Sequence, residues 1–88
     1  GETPLMKAAY GGHLEVVKWL VANEADVRRG DRDGWTPLHN AAGRGHLGVV
    51  QYLVSEAGAP VDAKSHQGHT PLMNAASTGH APIVRCLL

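Results

Sequence analysis

The sequence contains no Phe, and Trp and Tyr together supply only four side chains, so a core must be filled by Ala, Val and Leu. Small aliphatic cores of this kind favour helices that approach one another closely. Charge of one sign is also missing: eight Lys and Arg balance eight Asp and Glu, and the six His are near neutral at pH 7. That balance excludes a basic nucleic-acid stripe and a polybasic membrane patch as the main theme. No apolar run exceeds four residues, far short of the roughly 18 that span a bilayer, and no basic-apolar-small segment opens the chain. Neither membrane insertion nor nucleic-acid binding is expected. Cys86 is the only cysteine, which excludes an internal disulfide and an all-cysteine zinc site and points to a reducing, intracellular compartment, cytoplasmic or nuclear. The length of 88 residues allows one domain that buries only about 60% of its unfolded surface.

What the sequence does have is a period. Thr-Pro-Leu occurs at Thr3, Thr36 and Thr70, spaced 33 and 34 residues apart, each time followed by an Ala-Ala pair and then by Gly-His. Thr3 to Val21 matches Thr36 to Val54 at 12 positions and Thr70 to Leu88 at 10. Three phased copies divide residues 1–88 into one array of units at about 3–35, 36–69 and 70–88, the last incomplete.

Each copy carries helix punctuation. Thr before Pro supplies an N-cap hydroxyl, and Pro fits the first helical position, where its missing N–H is not needed. A short first helix is predicted after Thr3, Thr36 and Thr70, with Leu5, Ala8 and Ala9, or Leu38, Ala41 and Ala42, on one face. Gly11-Gly12, Gly43 with Gly45, and Gly79 then break the helix. A second amphipathic helix follows, reading Leu14, Val16, Val17, Leu20, Val21 in the first copy and Leu47, Val49, Val50, Leu53, Val54 in the second. In the third, Pro82 falls in the first turn, and Ile83, Val84, Leu87 and Leu88 continue the stripe. Asp31-Arg32-Asp33-Gly34 and Ser65-His66-Gln67-Gly68 predict reversing turns between successive helix pairs. The residue that lengthens the second unit lies within Ser55 to Pro60, where insertions are absorbed.

Thr36-Pro37-Leu38-His39-Asn40-Ala41-Ala42 and Gly12 to Lys18, Gly-His-Leu-Glu-Val-Val-Lys, resemble the ankyrin repeat. The resemblance covers essentially the whole chain. It implies an all-α solenoid of antiparallel helix pairs joined by β-hairpin-like fingers, whose members stack and are stabilised mainly by their neighbours. The chain departs from the family pattern in places. Met6 and Met73 replace a histidine, Glu24 replaces a glycine after the second helix, and Ala81-Pro82 replaces Leu-Glu. Arg28 and Asp62 stand where the finger often has asparagine, which weakens any expectation of asparagine hydroxylation. The last helix runs to Cys86-Leu87-Leu88 without a finger or polar cap, so further repeats are expected on both sides, and self-association through uncapped ends.

Enzymatic chemistry finds no foothold. Ser55, Ser65 and Ser77 lack a glycine-flanked elbow, no Gly-rich loop with Lys cradles phosphate, and Cys86 falls in the apolar phase of its helix as a packing residue. A non-enzymatic protein, with no cofactor and no metal, is expected. His13, His46 and His80 recur with the period and His39 belongs to the repeated motif; by resemblance these four tie loops and helix ends through backbone hydrogen bonds. His66 and His69 lie together on the second finger, and protonation-dependent binding is preferred there over metal ligation, since no carboxylate or thiolate is fixed nearby.

Resemblance further implies that finger tips and the exposed side of the first helices line a concave groove for a protein or peptide partner. Carried over, this gives Lys7 and Tyr10; Arg32, Asp33, Trp35, Asn40 and Arg44; and His66, Gln67, His69, Asn74, Ser77 and Thr78. Trp35 is the leading anchor, with Arg32 and Arg44 as charged neighbours, because Trp and Arg bury large surfaces while keeping a polar handle; packing of Trp35 on the adjacent finger is the alternative. The charges of Arg28, Arg29, Asp31, Arg32 and Asp33 are read as solvated, with steering of a complementary peptide as the alternative. Trp19 and Tyr52, 33 residues apart, are expected at the edge of the core on the outer side, with a convex partner patch as the alternative. Spacer repeats that only position other domains of a larger protein are the alternative function.

Overall fold

A computed structural model describes residues 1–88 as six α-helices with no β-strand. They are α1 (Pro4–Gly11), α2 (Leu14–Ala22), α3 (Pro37–Arg44), α4 (Leu47–Ser55), α5 (Pro71–Ser77) and α6 (Ala81–Leu87). Consecutive helices form three antiparallel pairs. The first helices pack side by side as α1 on α3 on α5, and the second helices form an outer layer of α2 on α4 on α6.

The predicted caps set these boundaries. Thr3, Thr36 and Thr70 are extended, and their hydroxyls accept from the backbone N–H of Met6, His39 and Met73 at 3.3, 3.4 and 3.3 Å. In α1 and α3 the third helical side chain answers: Met6 Sδ accepts from the Thr3 N–H at 3.4 Å and His39 Nδ1 from the Thr36 N–H at 3.1 Å. Each helix gains a satisfied pair of donors in this way. Gly12 and Gly45, at φ +75° and +80°, end α1 and α3. Gly11 and Gly43, expected as breakers, sit inside the helices instead. One left-handed residue is enough to reverse the chain. α5 ends at Thr78 with Gly79 at φ +78°. The next N–H then closes each loop: His13 donates to the Ala8 carbonyl at 3.0 Å, His46 to Ala41 at 3.0 Å and His80 to Ala75 at 2.9 Å.

Small side chains let the inner layer close. Ala8, Ala9, Ala41, Ala42 and Ala75 are buried with Leu5 and Leu38, and the outer layer contributes Val17, Val49, Val50, Leu53 and Ile83. Each buried Val, Leu or Ile contributes about 1.5–3 kcal/mol relative to exposure. Cys86 is half-buried against this cluster, as its helical phase predicts. Trp19 is not at the core edge: at 64% exposure it lies on the convex surface, whereas Tyr52, one pair further on, packs against the core.

Each finger is a turn held by two backbone bonds, of which the inner one runs from the Gly34 N–H to the Asp31 carbonyl and from the Gly68 N–H to the Ser65 carbonyl, both at 2.9 Å. Asp31 N–H donates to the Trp35 carbonyl at 3.0 Å and Ser65 N–H to His69 at 2.8 Å, with Gly34 and Gly68 turning at φ +81° and +85°. One bond, His66 N–H to the Asp33 carbonyl at 2.9 Å, joins the two fingers. The Asp31 carboxylate shapes the first turn by accepting from the Asp33 and Trp35 N–H groups at 2.9 and 3.0 Å. No helix is long and apolar enough to cross a membrane.

Candidate functional site

Four of the residues singled out in the sequence converge on one cleft. Tyr10 at the end of α1, Trp35 at the base of the first finger, and Asn40 and Arg44 on α3 line a cavity of about 170 Å³ together with His39 and Gly43. The Arg44 guanidinium carbon stands 4.7 Å from the Tyr10 ring centroid, a cation–π pair that links α3 to the end of α1. Gly43 leaves this floor open because it occupies the helical position that Tyr10 fills in the first pair.

Trp35 is held rather than free. Its ring meets the His39 imidazole edge-on at 5.2 Å and the His69 ring at 6.0 Å, while the Asp31 carboxylate holds its backbone. It remains half-buried, with one side toward the cleft. His39 is fully buried beneath it. Because Nδ1 accepts from the Thr36 N–H, Nε2 carries the proton and donates to the His69 carbonyl at 2.7 Å. Burial pushes this imidazole below its ordinary range, and the His69 carbonyl pulls the other way more weakly. The neutral ring thereby pins the second finger to α3.

The other expected residues lie elsewhere. Lys7 is exposed on α1. Arg32 and Asp33 line a separate cleft of about 320 Å³ with Gly1, Glu2 and Asp31. The charges of this finger form no ion pair; the one in the molecule is Lys18 with Glu15 at 3.9 Å on α2. On the second finger, Gln67 is exposed, and the His66 ring lies against Gly34 of the first finger while His69 faces Trp35. The two imidazoles thus have different neighbours, and no group of three His, Cys, Asp or Glu comes within metal-binding geometry. Asn74 departs from the expected exposed position: it is buried, and its amide donates to the His39 carbonyl at 3.5 Å, tying α5 to α3. Ser77 and Thr78 are exposed, but the Thr78 hydroxyl donates to the Asn74 carbonyl at 2.8 Å in its own helix.

Sequence reasoning missed His39 and Gly43 as cleft residues. His39 belongs to the repeated motif and was therefore given a purely structural part; it plays that part and supports Trp35 as well. The signal for Gly43 was present in the contrast between Tyr10 and Gly43 at equivalent positions. The periodic histidines also differ among themselves. His46 Nε2 bonds the Tyr10 carbonyl at 2.9 Å, whereas the side chain of His13 makes no hydrogen bond.

A family model described as ankyrin repeats (three copies) matches residues 1–65, and a second, described as ankyrin repeats (many copies), matches residues 46–88. None of the curated proteins matches the chain.

Proposed function

Since the chain belongs to the ankyrin-repeat family, whose members generally act as protein–protein interaction modules, we propose that it is a non-enzymatic recognition array, divided into units at about 3–35, 36–69 and 70–88, that takes an extended peptide or loop across α1, α3 and the fingers. The observation that carries this reading is the cleft between Tyr10, Trp35, Asn40 and Arg44. At about 170 Å³ it is smaller than the pockets of roughly 300–1,000 Å³ that enclose drug-sized molecules. One or two side chains of a partner fit it. Its lining has a cation and no carboxylate, so the complementary segment presents a carboxylate to Arg44 and an apolar side chain to the faces of Trp35 and Tyr10. The Asn40 amide is placed to bond the partner backbone. Trp35 and Arg44 are both restrained by neighbours, so little side-chain freedom is lost on binding.

Selection of displayed random peptides against the chain tests this, followed by titration of the selected peptides against Trp35→Ala and Arg44→Ala. The expected peptides pair an acidic residue with a bulky apolar one, and each variant weakens binding at least fivefold, about 1 kcal/mol, while remaining folded. Peptides without that pairing, or an affinity unchanged from the parent in either variant, would overturn the assignment.

A further inference from the structure

Gly43 is the one residue of the cleft that the fold does not require. It lies inside α3, its φ is negative, and a Cβ there would meet only the Asn74 Cβ at 3.6 Å, an ordinary contact. Alanine would fit, and it is the better helix former, because glycine loses more backbone freedom on folding. Other glycines have evident reasons. Gly12, Gly34 and Gly45 are left-handed and stand against imidazole rings, and a Cβ on Gly11 would lie 2.6 Å from the His13 ring. Gly48, the remaining helical glycine with room for a Cβ, sits in the first turn of α4 and lines no cavity.

The surroundings of Gly43 keep its bare backbone accessible. His39, Asn40 and Gly43 share one side of α3, three and four residues apart. The equivalent positions in the flanking pairs carry side chains, Tyr10 and Ser77. Tyr10 lies on the Arg44 guanidinium, and Trp35 is held by the His39 ring and the Asp31 carboxylate, so neither wall swings in over the glycine. Toward α5, Asn74 is buried with its amide bonded to the His39 carbonyl. The cleft is thus open at Gly43 between fixed neighbours.

On the premise that this cleft is the peptide site, we propose that Gly43 sets the size of the apolar side chain it accepts, and that the partner is an acidic peptide whose apolar residue is Leu, Met or aromatic rather than Ala or Val. The charge of the occupant follows from Arg44, the one charged side chain of the lining. Its size follows from reach. A partner backbone bonded at Asn40 stands one helical turn from Gly43, about 5–6 Å, so only a side chain that extends beyond its γ carbon touches the bare backbone there. A methyl on Gly43 occupies the space that this side chain enters. One methylene group decides roughly 10–200-fold in an apolar pocket, and the lower figure applies here because Tyr10 and Arg44 remain exposed.

Peptide display on the chain and on Gly43→Ala in parallel tests this, followed by titration of a parent-selected peptide and of its copy with Ala at the apolar position. The chain is expected to select Leu, Met or aromatic residues, and Gly43→Ala to select Ala or Val. The parent-selected peptide is expected to bind Gly43→Ala about tenfold more weakly, while its Ala copy binds both chains within about twofold. Gly43→Ala is also expected to melt a few degrees higher, so affinity and stability move in opposite directions. Equal affinity of the parent-selected peptide for both chains, or an equal loss for both peptides, would overturn the proposal. A Gly43→Ala chain that melts lower would overturn it as well, since the fold itself would then require the glycine. Trp35→Ala separates the failures. If it weakens the peptide and Gly43→Ala does not, the size selection fails and the peptide site stands; if neither does, or the chain selects no peptide, both fail.

Discussion

His39 couples a helix cap, a finger and the cleft through one ring. Its Nδ1 accepts from Thr36 and its Nε2 donates to His69, so both nitrogens are used by the neutral form only. Protonation would set an N–H against the Thr36 N–H inside a buried site. In the unfolded chain the imidazole titrates near 6.5, whereas burial holds it lower in the folded state. Between those two values the unfolded state binds more protons, so the stability due to His39 is complete above about pH 7.5 and falls as pH drops through 6.5. Met fills the equivalent positions 6 and 73, which makes His39→Met a variant the fold accommodates. At pH 7.5 the substitution is expected to cost about 1 kcal/mol for the bond to His69, whose carbonyl keeps its bond from Ser65. Urea unfolding of both proteins at pH 7.5 and 5.5 is expected to show the gap shrinking on acidification; parallel losses would mean His39 does not titrate as argued. The motif places this histidine in the sequence, but its link to residue 69 depends on where the next finger falls, which no local pattern encodes.

Helix ends were the most legible elements, because caps act within four residues. Thr-Pro predicted the starts of α1, α3 and α5, and the second helices began where the apolar stripe resumed. The fingers were less legible, since a turn held by two backbone bonds and a hairpin with a longer ladder share the same Gly signal. The substitution of Glu24 for glycine was visible, and the structure supplies its consequence. Glu24 is the only non-glycine residue at positive φ, +70°, and Gly58 takes the equivalent turn after α4 at +67°. A left-handed non-glycine residue costs on the order of 1–2 kcal/mol, part of which is offset because glycine loses about 0.4–1 kcal/mol more chain entropy on folding. Glu24→Gly is therefore expected to stabilise by roughly 0.5–1 kcal/mol, raising Tm by a few degrees. Gly58→Ala, with nothing within 4 Å of its Cβ, is expected to lower Tm through φ alone. Calorimetry on the two variants checks both signs, and a Glu24→Gly protein that melts lower would show that the charged side chain stabilises more than the turn strains.

For the whole molecule, the period in the sequence predicted the stacking of pairs, while the unequal burial of equivalent residues could not be read from it, because burial depends on having a neighbour on each side. Val16 and Val49 are identical in sequence and opposite in exposure. A nearly one-dimensional array gathers its stability from nearest-neighbour contacts, and only the central pair, α3 with α4, has a pair on each side. Leu53 is fully buried there, and its equivalent Leu87 in α6 is half-buried. Leu53→Ala removes packing that both flanking pairs depend on and is expected to destabilise by about 2–4 kcal/mol, a large share of the roughly 4–13 kcal/mol available to a chain of this length. The whole array then unfolds earlier as one transition with an unchanged denaturant slope. Leu87→Ala, acting at one side, is expected to cost about half as much and to loosen the third pair first. Hydrogen exchange separates the two outcomes: protection falls across all six helices for Leu53→Ala and chiefly in α5 and α6 for Leu87→Ala. Equal losses spread evenly over the chain in both variants would mean that the pairs do not act as coupled units.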